Sequence, residues 1–121
     1  MKTEWDAAKK EAWIDRFRTG AILFHSGQYL ASRAMETAGS DAVAALIKEL
    51  DTHSTIGRDI LLPLLEDEKV YVQVSAARYL ITRYPDRTIP LLKHLEENDV
   101  TGADFSAQNI LWVYEHGGAD L

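Results

Sequence analysis

Apolar residues recur every three or four positions along almost the whole chain, and no stretch alternates as a half-buried strand would. The spacing predicts a first helix over 4–25. Trp13, Phe17, Ala21 and Phe24 share one stripe there, with Ile14 beside them. Thr3 with Asp6 resembles a capping box with a shortened acid. Gly20 weakens this helix and so marks either close packing or a bend, and Ser26-Gly27 reads as a left-handed stop. A second helix is expected over 28–52. Leu30, Ala34, Ala38, Ala42, Leu46 and Leu50 lie four apart, widened by Tyr29, Met35, Val43 and Ile47. The stripe keeps its phase across Gly39, which favours one long helix with room for a kink over two short ones.

Beyond the turn 52–55, a third helix is predicted over 56–66, with Ile56, Ile60, Leu61, Leu64 and Leu65 inward. Pro63 stands inside it. An interior proline removes a hydrogen bond and crowds the preceding turn, yet Leu64 and Leu65 extend the face begun at Ile60 and Leu61, so continuation through Pro63 is expected. A fourth helix follows over 70–83, with Val72, Ala76, Leu80 and Tyr84 as its stripe. Pro85 stops it and Asp86 caps a fifth over 87–97. Asn98 to Gly102 is a polar turn. A sixth helix over 103–116 turns Phe105, Ala107, Ile110, Leu111 and Tyr114 inward, until Gly117-Gly118 ends it. The expected fold is all-α: a stack of antiparallel helical hairpins with about six helices in one domain, 1–121. Within it, 1–53 forms a long N-terminal pair and 54–116 two shorter hairpins.

The segments 55–83 and 87–116 repeat at roughly thirty residues, the short end for helical-hairpin repeats. The pattern Leu61-Leu-Pro-Leu-Leu65, Asp67, Val72, Ala76-Ala77, Leu80 is similar to a HEAT unit, and Ile89-Pro90-Leu-Leu92 echoes its start. Gln73 departs from that pattern, standing where HEAT units usually carry an Arg that ties repeats together. With Tyr84-Pro-Asp-Arg-Thr-Ile-Pro-Leu-Leu92, Phe105, Leu111 and Tyr114 added, residues 44–116 resemble the bacterial family called domain of unknown function two-thousand-and-nineteen. The resemblance implies a small ARM/HEAT-like bacterial protein. It brings no activity and no functional residue with it, because its motifs are packing motifs.

Composition narrows the function classes. The net charge of -6 repels phosphate and disfavours broad nucleic-acid binding; it would favour a basic partner, although mild acidity also simply promotes solubility. No cysteine is present, so neither disulfides nor thiolate metal sites arise, as suits a reducing cytosol. Residues 2–20 are charged throughout, unlike a signal peptide, and no run approaches a membrane span. A cytoplasmic protein with no membrane association is expected.

Catalytic chemistry has no foothold in the pattern. His25, His53, His94 and His116 fall near segment ends, where a cation complements a helix C-terminus, and none lies in a compact ligand motif. His94 with Glu97, or Asp51 with His53, offers two metal ligands where zinc needs three. There is no phosphate-binding glycine loop and no Gly-x-Ser-x-Gly elbow. Glu96/Glu97 and Glu66/Asp67 are adjacent carboxylates on helix ends, not a pair converging across a cleft. No catalytic residue, metal ligand or cofactor is therefore expected.

Two helical faces remain as candidates for binding. Tyr71, Ser75, Arg78 and Thr82 recur at i, i+4, i+7, i+11 opposite the apolar stripe of the fourth helix. On the sixth, Trp112 falls among Asp104, Gln108 and Glu115. Trp112 has two readings: an aromatic covered by another helix or a chain end, or an exposed anchor of the kind that dominates binding hot spots. In HEAT-like stacks the second helix of each pair lines the concave surface, so Tyr71, Ser75, Arg78, Gln108, Trp112 and Glu115 form the candidate groove; the plainer alternative is a solvated face. The expected function is a non-catalytic module binding another protein, with an inhibitor or immunity-type role as one version. The alternatives are a glycosylase-like or lyase-like HEAT protein, by analogy of fold alone, and a homodimer built through Trp112 or Trp5.

Overall fold

The computed structural model describes residues 1–98 and 102–117, and among them every named element is helical, so the fold is all-α. The chain divides into two compact units, Met1–Leu61 and Leu62–Leu121. The boundary between them falls inside a 3₁₀ helix.

The first unit is a pair of long helices, α1 (Ala7–Tyr29) and α2 (Arg33–His53). Asp6 alone caps α1, its carboxylate accepting from the Lys9 N–H at 2.8 Å. Thr3 is occupied elsewhere. Its N–H donates to the His53 carbonyl at 2.8 Å and its carbonyl accepts from Thr55 at 2.9 Å, tying the N-terminal strap to the end of α2. Trp13, in the second turn of α1, donates from its indole to the Leu46 carbonyl at 3.1 Å and stacks on Phe17, with centroids 5.4 Å apart. Trp5 is also buried, beneath the Lys9 ammonium.

Glycines set the distance between the two helices. A Cβ on Gly39 would lie 2.3 Å from the Phe24 backbone nitrogen, and one on Gly27 would lie 2.3 Å from the Glu36 nitrogen. Backbone meets backbone at both points. Gly27 therefore serves close approach and not the expected stop. Gly20 also packs closely, against Val43, which settles its role as packing.

The true stop comes later. Ser32 N–H donates to the Gly27 carbonyl at 2.8 Å and Ala31 N–H to Gln28 at 3.3 Å, a Schellman arrangement with Ala31 at φ 54°. Tyr29 thus ends α1 and Leu30 caps it, both exposed, and the Ser32 hydroxyl caps α2 through Met35 N–H.

α2 runs unbroken through Gly39, and the second half of the predicted stripe, Val43, Leu46, Ile47 and Leu50, is buried, while the alanines of its first half are not. Gly39, Val43, Leu46, Ile47 and Leu50 face inward, while Ala34, Ala38 and Ala42 are exposed. The larger side chains bury more apolar surface than a row of alanines, and they set the phase.

The 3₁₀ helix spans Gly57–Glu66 and continues through Pro63, as its apolar face suggested. It is not α-helical, however. In α geometry the Pro63 ring would crowd the Asp59 carbonyl. Ile60, Leu61, Leu64 and Leu65 are buried and Pro63 is exposed.

The second unit contains α3 (Val70–Leu80), α4 (Pro85–Asn98) and α5 (Ala103–Glu115). α4 packs along α5, and α3 packs against both. The short turn before α3 is built by Asp67, whose carboxylate accepts from Lys69 N–H at 2.9 Å. Gln73 donates to the Asp67 carbonyl at 2.6 Å, so the side chain that departs from the HEAT pattern secures its own turn. α3 ends earlier than predicted and α4 begins at Pro85, with its ring in the first helical position, where no N–H is missed. Thr88, fully buried, returns its hydroxyl to the Tyr84 carbonyl at 3.0 Å.

Candidate protein-binding face

α5 buries Ala103, Ala107, Ile110 and Leu111. Seven residues complete nearly two turns of an α-helix, so Phe105 and Trp112 stand about 20° apart on its opposite side. Phe105 is 70 % exposed and Trp112 58 %. Phe105 was expected inward with Ala107. At about 100° per residue the two instead project to opposite sides, and Ala107 is the one that packs. The signal for an exposed Phe105 was present in its seven-residue spacing from Trp112.

Trp112 is held in place. The His116 ring stacks on its indole with centroids 4.1 Å apart and planes within 17°. His116 Nδ1 lies 2.8 Å from the Trp112 carbonyl, and the His116 N–H donates to the same oxygen at 3.1 Å. A side chain at the end of the helix thus satisfies a terminal carbonyl and fixes the aromatic one turn earlier. Asn109 joins Phe105, Trp112 and His116 on the outward stripe, and Asp104, Gln108 and Glu115 border one flank, all three at least partly exposed.

The partner face on α3 is less complete than its spacing predicted. Arg78 is exposed and sits 5.7 Å from the Tyr79 ring. Tyr71 is half-buried. Ser75 is buried at 8 % exposure, so it does not line a groove. The cause is the central position of α3: packed by both α4 and α5, it buries Val72, Val74, Ala76, Ala77 and Leu80, well over half its circumference. Arg78 and Trp112 each make a ring contact on their own helix, at Tyr79 and His116. The exposed set is therefore Arg78 on α3, with Phe105, Gln108, Trp112 and Glu115 on α5.

The residues singled out for chemistry are dispersed. His25 is buried against the edge of Phe24, and His53 closes α2. Asp51 is engaged by Arg58 through two bonds, at 3.3 and 3.0 Å. Among the described residues no three His, Cys, Asp or Glu side chains gather as a metal site, and no helix is long and apolar enough to cross a membrane. No family model, curated protein or solved structure matches the chain.

Proposed function

We propose that the protein is a non-catalytic interaction module of the HEAT/ARM-like type that binds another protein through the outward face of α5. One observation carries this reading: Phe105 and Trp112 share one side of a helix at 70 % and 58 % exposure, while Trp5, Trp13 and Phe17 are buried. Water-exposed aromatic surface is costly to leave uncovered, and Trp is the side chain most enriched where binding energy concentrates. The repeating helical segments and the packing motifs of 61–92 support the solenoid-like class, and such modules often bind partners without doing chemistry. An inhibitor or immunity-type role is one form this takes. The cysteine-free composition suits the cytoplasm.

A photo-crosslinking residue at position 112, compared with one at exposed Ala44 on α2, tests the reading in the full chain. A single protein captured at 112 alone, then purified and shown to lose roughly 30-fold in affinity to Trp112→Ala, is the expected result, in keeping with a hot-spot loss of about 2 kcal/mol. Equal labelling at both positions, or unchanged affinity in the variant, would overturn it.

A further inference from the structure

The formal charge of this chain is not spread along it. Residues 1–93 hold 13 Lys and Arg and an equal number of Asp and Glu. Residues 94–121 hold six Asp and Glu and no Lys or Arg, so the entire net charge of -6 falls in the last 28 positions. α5 lies within that stretch. Glu96, Glu97 and Glu115 are exposed and Asp104 is partly so, and the ion pairs of Arg16 with Glu49 and Arg58 with Asp51 lie in the other unit.

We propose that the α5 face docks a basic amphipathic helix of the partner protein. The proposal rests on the interaction reading above and adds the chemistry of the partner. Three occupants compete for an exposed aromatic face, and charge separates them. A second copy docking the same face would bring two acidic helices together, and like charges across an interface oppose association. An anionic membrane surface repels this segment for the same reason. A cationic segment is attracted, both in encounter rate and in register.

The geometry favours a helix as the form of that segment. Phe105 and Trp112 lie about 10 Å apart along the axis, at 1.5 Å per residue. An antiparallel or parallel partner helix repeats its own apolar positions at that interval. Asp104 and Glu115 are eleven residues apart and nearly in phase on one flank. A partner with Lys or Arg on the matching flank, also eleven apart, meets both carboxylates while its apolar stripe covers the aromatics. A guanidinium has a further advantage here, because it can stack on an exposed indole such as that of Trp112.

Three probes test this against the full chain at low ionic strength. The first is an 18-residue Leu/Lys amphipathic helical peptide, a design length of about five turns. The second replaces every Lys with Glu. The third is polylysine, which carries charge without an apolar stripe. Binding is read by isothermal titration and by amide and indole NMR shifts. The expected result is binding of the Leu/Lys peptide alone, with shifts centred on the Trp112 indole and α5. Phe105→Ser with Trp112→Ser should weaken it at least tenfold while leaving the circular dichroism spectrum unchanged, and added salt should weaken it further. Equal binding of polylysine, or indifference to the double substitution, would reduce the effect to bulk charge and overturn the proposal. Binding of the Leu/Glu peptide at α5 would overturn the basic partner while leaving α5 as an interaction face. A dimer in sedimentation that Trp112→Ser abolishes would assign the face to a second copy instead. If neither peptide binds, the proposal fails, and crosslinking at position 112 still decides the interaction reading separately.

Discussion

The His116 imidazole lies flat against the Trp112 indole, 4.1 Å between centroids, and its Nδ1 sits 2.8 Å from the carbonyl of the residue it covers. One side chain thereby caps the end of α5 and restricts the rotamer of the exposed tryptophan. An aromatic already held in one rotamer loses less entropy when a partner arrives, an effect of about 0.5–1.5 kcal/mol for each side chain ordered. His116→Ala should leave stability within about 1 kcal/mol, since His116 is exposed. It should also raise the mobility of the Trp112 indole in nitrogen-15 relaxation and weaken binding several-fold. An indole as ordered in the variant as in the parent would refute the clamp.

Ala31 sits at φ 54° in the position where a Schellman stop normally carries glycine. A left-handed conformation costs a residue with a Cβ about 1–2 kcal/mol. Ala31→Gly removes that strain, and the looser unfolded chain offsets part of the gain. The expected outcome is a stabilisation of about 0.5–1 kcal/mol, read as a higher denaturant midpoint with unchanged slope. A lower midpoint would show that the turn is held by something other than this geometry.

The glycines between α1 and α2 differ in what a methyl group would meet. At Gly39 it would strike the Phe24 backbone at 2.3 Å, and at Gly20 it would touch the Val43 side chain at 3.0 Å. A backbone atom inside a helix cannot step aside without moving the helix, whereas a valine methyl can yield. Gly39→Ala should therefore cost about 3 kcal/mol through overpacking. Gly20→Ala should come out near neutral, because helix propensity returns up to about 1 kcal/mol. Urea titration of the two variants checks the contrast, and similar losses in both would show that α1 and α2 are not packed backbone to backbone.

Helical periodicity made the helices legible, because burial along one side of a helix leaves its mark every three or four residues. The continuation of the segment through Pro63 and of α2 through Gly39 could be read this way. Phase was harder. A row of residues four apart drifts about 40° per step around a helix, so in α2 Leu46 and Leu50, with Val43 and Ile47, stay on the buried side while Ala34, Ala38 and Ala42 of the same row turn outward, and the larger side chains set the phase. Turn chemistry misled where two roles share a residue type: Gly27 looked like a stop and proved to be a contact point, while the stop fell on an alanine. At the candidate face, Trp112 stood out as an aromatic among polar neighbours. Phe105 did not, because its near neighbours in sequence are core residues and only the seven-residue interval betrays its side. Ser75 was misplaced since a helix packed by two others buries more of its circumference than a single stripe suggests.

The two tryptophans Trp13 and Trp112 should separate stability from binding. Trp13 is 1 % exposed, stacks on Phe17 and donates to the Leu46 carbonyl, so Trp13→Ala opens a cavity and removes a buried bond. A loss of about 3–5 kcal/mol is expected, a large share of the stability of a small domain. Trp112 is 58 % exposed and stacks on His116. Trp112→Ala should change stability by less than about 1 kcal/mol, as surface substitutions do. Its emission should be that of a solvated indole, so the variant's spectrum should shift toward shorter wavelength as the buried Trp5 and Trp13 come to dominate. Thermal melts of the two variants, recorded with their emission spectra, give the test. A large fall in the Trp112→Ala midpoint would make this side chain part of the core and remove α5 as a binding face. A midpoint close to the parent's, with affinity for the crosslinked partner lost, is the outcome the exposed aromatic stripe requires.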